Sequence, residues 1–169
     1  MPSKYIPSIN SAELKDKQQP GKEHEYYELL VEPLHEEMFR RKDFNFLDEL
    51  TEGQQLLISY DYVRMQVIQG GFIQLIQNGY VGLLPPMPNW LYAINAGEMA
   101  KVIDDVLKVY VLNHEMLEKE TTVEEFAKLY DELKEFELID QHFADLNEQT
   151  MNKILQFATQ HIGEFAVVV

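Results

Sequence analysis

From residue 22 onward, apolar residues recur every three to four positions with charged residues between them, the period of a helix with one buried face. Tyr27, Leu30, Leu34 and Met38 form one such face, and Glu25, Glu28, Glu32 and Glu36 fall on the opposite side. Pro33 lies inside the pattern and, having no N–H to donate, predicts a kink or a new helix start there. Leu56, Tyr60, Val63 and Val67 mark a second helix, ending at Gly70, whose wide apolar face suits a central position. Pro85, Pro86 and Pro88 force an irregular connection, after which residues 90–96 read as a short helix and Met99, Ile103, Val106 and Tyr110 open a long one. The stretch VLKVYVL has strand propensity, but the 3.6-residue period around it favours helix. Phe126, Leu129, Tyr130 and Leu133 mark a helix from Thr122, whose hydroxyl is placed to cap it with Glu125 three residues on. Met151, Ile154, Leu155, Ala158 and Ile162 belong to a last helix, read as starting near Asn147 and giving way near Gly163 to the apolar tail AVVV.

No alternating strand pattern and no repeat stands out, so the predicted class is all-α: a single-domain helical bundle of about six to eight helices over residues 22–169. Residues 1–21 contain Pro2, Pro7, Pro20 and Gly21 and read as a loosely ordered arm. The tail from Phe165 to Val169 must either pack back on the domain or meet a partner such as a second copy.

The segment QGGFIQLIQNG, residues 69–79, sets two adjacent glycines between apolar helical runs. Glycine past a helix end reaches left-handed backbone angles without steric cost, and Phe72, Leu75 and Ile76 re-enter a helix at once. Gly70-Gly71 therefore reads as a corner between helices. Gln74 and Asn78 lie four apart, where their amides can reach backbone groups of the corner or of the Asn78-Gly79 turn. A phosphate-cradling loop is the rival reading, but neither a preceding strand nor a nearby lysine accompanies it.

The pattern of Gly70, Gly71, Phe72, Gln74 and Asn78 after an amphipathic helix resembles the signature of a bacterial family of all-helical domains that includes a DNA-mimic protein. The family more often has asparagine where Gln69 stands and aromatics where Leu75 and Ile76 stand. The resemblance covers roughly residues 53–113. It implies a helical fold and, for the family's mimic, a dimer whose surface carboxylates imitate DNA phosphates and occupy a helix-turn-helix regulator. The motif itself reads as scaffold, so it carries no functional residue across.

Charge changes the picture independently of that resemblance. The 169 residues hold 29 acids against 14 bases, a formal charge of −15. Residues 23–52 contain ten acids and three bases, residues 115–148 twelve and three, while residues 53–114 sum to only −1. The acidity thus belongs to two regions flanking the motif. In the first, Glu25, Glu28, Glu32 and Glu36 make one stripe. In the second, Glu124, Asp131 and Glu135 share a side, with Glu125 and Glu132 beside them and Lys128 interrupting. Like charges three and four residues apart cost roughly 0.2–0.5 kcal/mol per pair in an isolated helix. A solvated acidic surface is the ordinary meaning of such runs, and rows of carboxylates facing a basic protein are the functional one.

An enzyme finds less support. There are no cysteines, hence no thiolate metal site, cysteine nucleophile or disulfide. Glu32-Pro-Leu-His35 matches half of a helical di-iron motif, but none of the other four histidines has a glutamate three residues before it. His114-Glu115 lacks a second histidine, His142 lies between Asp140 and Asp145 without an assignable nucleophile, and His24 and His161 read as surface residues. No catalytic, metal or cofactor site is assigned. The charge has the wrong sign for direct nucleic-acid or anionic-membrane binding. The first residues lack a signal-peptide core, and no run approaches the roughly 20 apolar residues of a membrane span, so a cytoplasmic protein is expected.

The expected function is binding of a basic protein, either a DNA-binding regulator occupied by DNA mimicry or a toxin nuclease blocked by an immunity-type inhibitor. The competing class is an enzyme with a pocket near residues 70–90, lined by Asn78, Tyr80 and Trp90.

Overall fold

The computed structural model describes residues 4–119 and 121–169, so Pro2 of the expected arm lies outside them. The fold is all-α, as the periodicity requires: seven α-helices and three short 3-10 turns among the described residues, with one pair of two-residue strands. In chain order these are β1 (Ser8–Ile9), α1 (Ser11–Lys17), α2 (Glu23–Arg41), α3 (Glu52–Gln77), α4 (Met87–Ala93), α5 (Gly97–Glu118), α6 (Val123–Glu132), α7 (Glu135–Gln160) and β2 (Val167–Val168). Contacts cluster into two compact units, one of residues up to 58 plus 151–169, the other of residues 59–150. No helix among the described residues is long and apolar enough to cross a membrane.

In the first unit, α2 buries Tyr27, Leu30, Leu34 and Met38, the face read from the sequence. Pro33 neither breaks nor restarts it, because the helix keeps helical dihedrals from Glu23 to Arg41. A proline removes one hydrogen bond of the ladder, and the buried residues on either side hold the helix together across that loss. The helix ends where Lys42 turns left-handed and its N–H reaches the Met38 carbonyl. Thr51 and Gln54 form a reciprocal capping box at the start of α3: the Gln54 N–H donates to Thr51 Oγ1 at 3.2 Å and the Thr51 N–H to Gln54 Oε1 at 2.9 Å.

The N-terminal segment is not a loose arm from residue 4 on. Asn10 caps α1 through the N–H groups of Ala12 and Glu13, and Ile9 and Leu14 are buried. β1 pairs in parallel with β2, with Ser8 opposite Val167 and Ile9 opposite Val168. Two-residue strands are too short to leave an alternating pattern. This pairing also answers the question of the tail. Phe165 and Ala166 are buried within the unit, and a Cβ at Gly53 would stand 2.7 Å from the Phe165 ring, so the glycine admits the tail against α3. Val167, Val168 and Val169 remain exposed.

In the second unit, Tyr60 and Val63 of α3, Ile103 and Val106 of α5, and Phe136 and Phe143 of α7 are fully buried. Tyr60 stacks on Phe143 at 5.9 Å and donates a 2.7 Å hydrogen bond to Asn147 Oδ1. Burial pushes the Tyr60 hydroxyl pKa far up, so it stays a donor. The short helix expected at residues 90–96 starts earlier, at Met87, with Pro88 in its first turn where a missing N–H costs nothing. VLKVYVL is helical within α5. The last helix begins at Glu135 rather than near Asn147, because Phe136, Ile139 and Phe143 already supply a buried face upstream.

Candidate functional site

The first acidic face belongs to α2. Glu25, Glu28, Glu32 and Glu36 are all exposed and share one stripe of the helix. The nearby bases are drawn elsewhere. Arg40 and Arg41 both bind Glu37, with Arg41 Nε at 2.7 Å, and Arg41 also binds Glu49 while lying over the Phe46 ring at 4.6 Å. The Arg40 guanidinium, then that of Arg41, holds the Glu37 carboxyl down at about 2. Lys22 binds Asp16 at 2.6 Å, and Lys17 lies 3.8 Å from Asp16 and 3.6 Å from Glu25. Glu25 thus has a partial counter-charge, whereas Glu28, Glu32 and Glu36 have no ion pair among the described residues.

The second acidic face belongs to α6. Thr122 caps it as expected, its Oγ1 accepting from the Glu125 N–H at 3.2 Å. Glu124, Glu125, Asp131 and Glu132 are exposed. The row expected to run from Glu124 through Asp131 to Glu135 is split, however. Leu133 turns inward and is buried, its N–H closing α6 on the Leu129 carbonyl, and Glu135 opens α7. Glu135 is exposed but rides on a different helix.

The double glycine lies within the second unit, where α3 breaks at Gly71, with φ 80° and ψ 178°. The break frees backbone groups from the helical ladder, and two side chains distant in sequence satisfy them. The Phe72 N–H donates to Asp140 Oδ1 at 2.9 Å, and the Tyr130 hydroxyl donates to the Gly70 carbonyl at 3.1 Å and to Asp140 Oδ2 at 2.8 Å. A Cβ at Gly71 would fall inside contact distance of both the Tyr130 oxygen and Asp140 Oδ2. Phe72 is fully buried, with its ring edge-on to Phe143 at 5.5 Å.

Gln74 and Asn78 do not serve the backbone as expected. Both donate to the Gln66 side chain, at 3.2 and 2.7 Å, and Gln74 also donates to Gln69 at 3.1 Å. The turn closes through its own backbone instead: Tyr80 N–H to Leu75 carbonyl and Gly79 N–H to Ile76 carbonyl, with Gly79 at φ 85°. Of the residues proposed to line a pocket, Asn78 is tied to Gln66, Tyr80 stacks on Tyr62 at 5.6 Å, and Trp90 is half-buried on α4.

The sequence marks Tyr130 only as part of the apolar face of α6 and Asp140 only as a neighbour of His142, and links neither to the double glycine. The one local signal was Asp140 itself, a carboxylate next to Ile139 on the buried face of α7. Burial raises the Asp140 pKa above the ordinary aspartate value of 3.8, against the lowering pull of the Phe72 N–H and the Tyr130 hydroxyl. A raised folded-state pKa means that the native protein holds this proton more tightly than the unfolded chain does. The contribution to stability is therefore full below 3.8 and is lost as pH rises through the folded value. An Asp140→Asn variant is expected to gain stability relative to the native protein as pH rises from about 4 to 7. Paired denaturant titrations across that range check it; a pH-independent difference would mean that Asp140 titrates normally.

No curated protein matches the chain. The family model described as DMP19-like protein matches residues 48–161, a span that contains the double glycine and the α6 face but not the α2 row. That span is more than half of the chain, and the protein belongs to the DMP19-like family, of the DNA-mimic type that its Gly-Gly-Phe signature implied.

Proposed function

We propose that this protein binds a basic DNA-binding protein through helix faces that present carboxylates in rows, filling the surface where duplex DNA would lie. The observation that carries the reading is the α2 face, where four glutamates share one exposed stripe while the arginines of the same helix bind Glu37 and Glu49. Neighbouring residues on such a stripe have their Cβ atoms roughly 5–6 Å apart, which sets the spacing at which the carboxylates leave the helix. Duplex DNA offers one phosphate per strand for about each 3.4 Å of axis, a spacing of the same order. A helix needed only for packing gains nothing from such a row. Family membership supports the reading, and the α6 face lies within the matched span. No catalytic residue, metal or cofactor enters this function.

The test immobilises the protein, loads native lysate at low salt and elutes with a rising salt gradient, with and without excess duplex DNA. A DNA-binding protein that elutes with salt and is displaced by the DNA supports the reading. A partner that duplex DNA leaves in place excludes mimicry, and a displaced nuclease would make the protein an inhibitor of that enzyme.

A further inference from the structure

We propose that Tyr130 is the positioning residue of the α6 acidic face, and that the break at Gly70-Gly71 is the socket that receives it. The functional half of this inference rests on the reading of α6 as part of the partner-binding surface; the structural half does not.

Helix α6 has ten residues, fewer than the roughly 12–15 that a free helix needs to be stable in water. Its last turn carries Asp131 and Glu132 beside the carbonyl end of the helix dipole, where negative charge is unfavourable. Among its residues only Leu129 is buried. The helix therefore depends on what its inner side touches. There the Tyr130 hydroxyl reaches the Gly70 carbonyl and Asp140, while Asp140 is itself fixed by the Phe72 N–H. One hydroxyl thus ties α6 to both α3 and α7, and it fits because Gly71 has no side chain. Glu124, Glu125, Asp131 and Glu132 ride on the same ten residues, so the seat of Tyr130 sets where they point. A motif without charge thereby governs how charge is presented.

Amide hydrogen exchange on the full chain tests this without a partner. Tyr130→Phe removes the hydroxyl and keeps the ring that packs edge-on to Phe126 at 5.8 Å. Amides of residues 126–132 are expected to exchange roughly two- to tenfold faster in that variant, while those of residues 56–67 in α3 stay as in the native protein. Asp140→Asn, which keeps an acceptor for the Phe72 N–H and leaves Tyr130 on Gly70, is expected to protect α6 nearly as well as the native residue. Asp140→Ala is expected to lose that protection. Unchanged α6 exchange in Tyr130→Phe, or an equal rise in α3 and α6, would overturn the latch. If the latch holds but a variant with Glu124, Glu125, Asp131 and Glu132 neutralised still captures the partner, the functional half fails.

Discussion

Replacing Gly71 with alanine is expected to destabilise the protein by about 2–6 kcal/mol, the largest stability effect of any single change at the double glycine. Two costs add. The backbone at φ 80° and ψ 178° is a region that essentially only glycine occupies, worth roughly 1–3 kcal/mol of strain for any other residue. The new Cβ would also push away the Tyr130 hydroxyl and the Asp140 carboxylate, stranding the Phe72 N–H at roughly 1–3 kcal/mol. For a chain of this length, such a loss lowers the melting temperature by about 10 °C. Gly70→Ala is the control. Its Cβ would meet mainly the end of the flexible Gln74 side chain, and Gly70 does not have positive φ. It is expected to change stability by about 1 kcal/mol or less, because alanine's better helix propensity offsets the displacement of Gln74. Thermal and urea unfolding of the two variants check both values. Equal effects would show that the break at Gly71 can be rebuilt cheaply and that the socket does not depend on an absent side chain.

The second large effect is on binding. Changing Glu25, Glu28, Glu32 and Glu36 together to glutamine is expected to weaken capture of the basic partner by roughly fourfold to a thousandfold, taking about 0.2–1 kcal/mol for each of the exposed charge pairs lost. The salt dependence of whatever binding remains should flatten, because fewer screened charge contacts are left. Stability should move the other way or hold still. Three like-charged neighbour pairs along the stripe are relieved at roughly 0.2–0.5 kcal/mol each, partly offset by the lost Lys17 contact to Glu25. Weaker binding in a protein as stable as the native one is the mark of a face kept for a partner. Binding that survives at unchanged affinity, measured by titration with the captured protein, would assign the α2 row to solvation and leave α6 as the candidate surface.

The amino-acid sequence by itself determined the all-α class and most of the helices, because amphipathic period, N-caps and glycine stops are local signals. Thr122 capping α6, the inward face of α2 and the break at Gly71 were all legible from neighbours within a turn or two. The excess of acids was legible too, since charge segregation needs no coordinates. Where local signals conflicted with packing, the sequence misled. Pro33 suggested a break that buried residues on both sides of it override, and the prolines of the first 21 residues concealed strand β1 and helix α1, which are held by Ile9, Leu14 and a pairing with a strand at the other end of the chain.

Only the tertiary structure decided what the double glycine is for. The partners of its freed backbone come from 60 and 68 residues away, Tyr130 on Gly70 and Asp140 on Phe72. Nothing in the local pattern of a half-buried tyrosine or a lone aspartate announces such a pairing. Tertiary structure likewise divided the second acidic region between α6 and α7, because Leu133 gains more from burial than from continuing the helix. Periodicity reports which face of a helix avoids water. It does not report which groups, far along the chain, will complete the hydrogen bonds that a helix break leaves open.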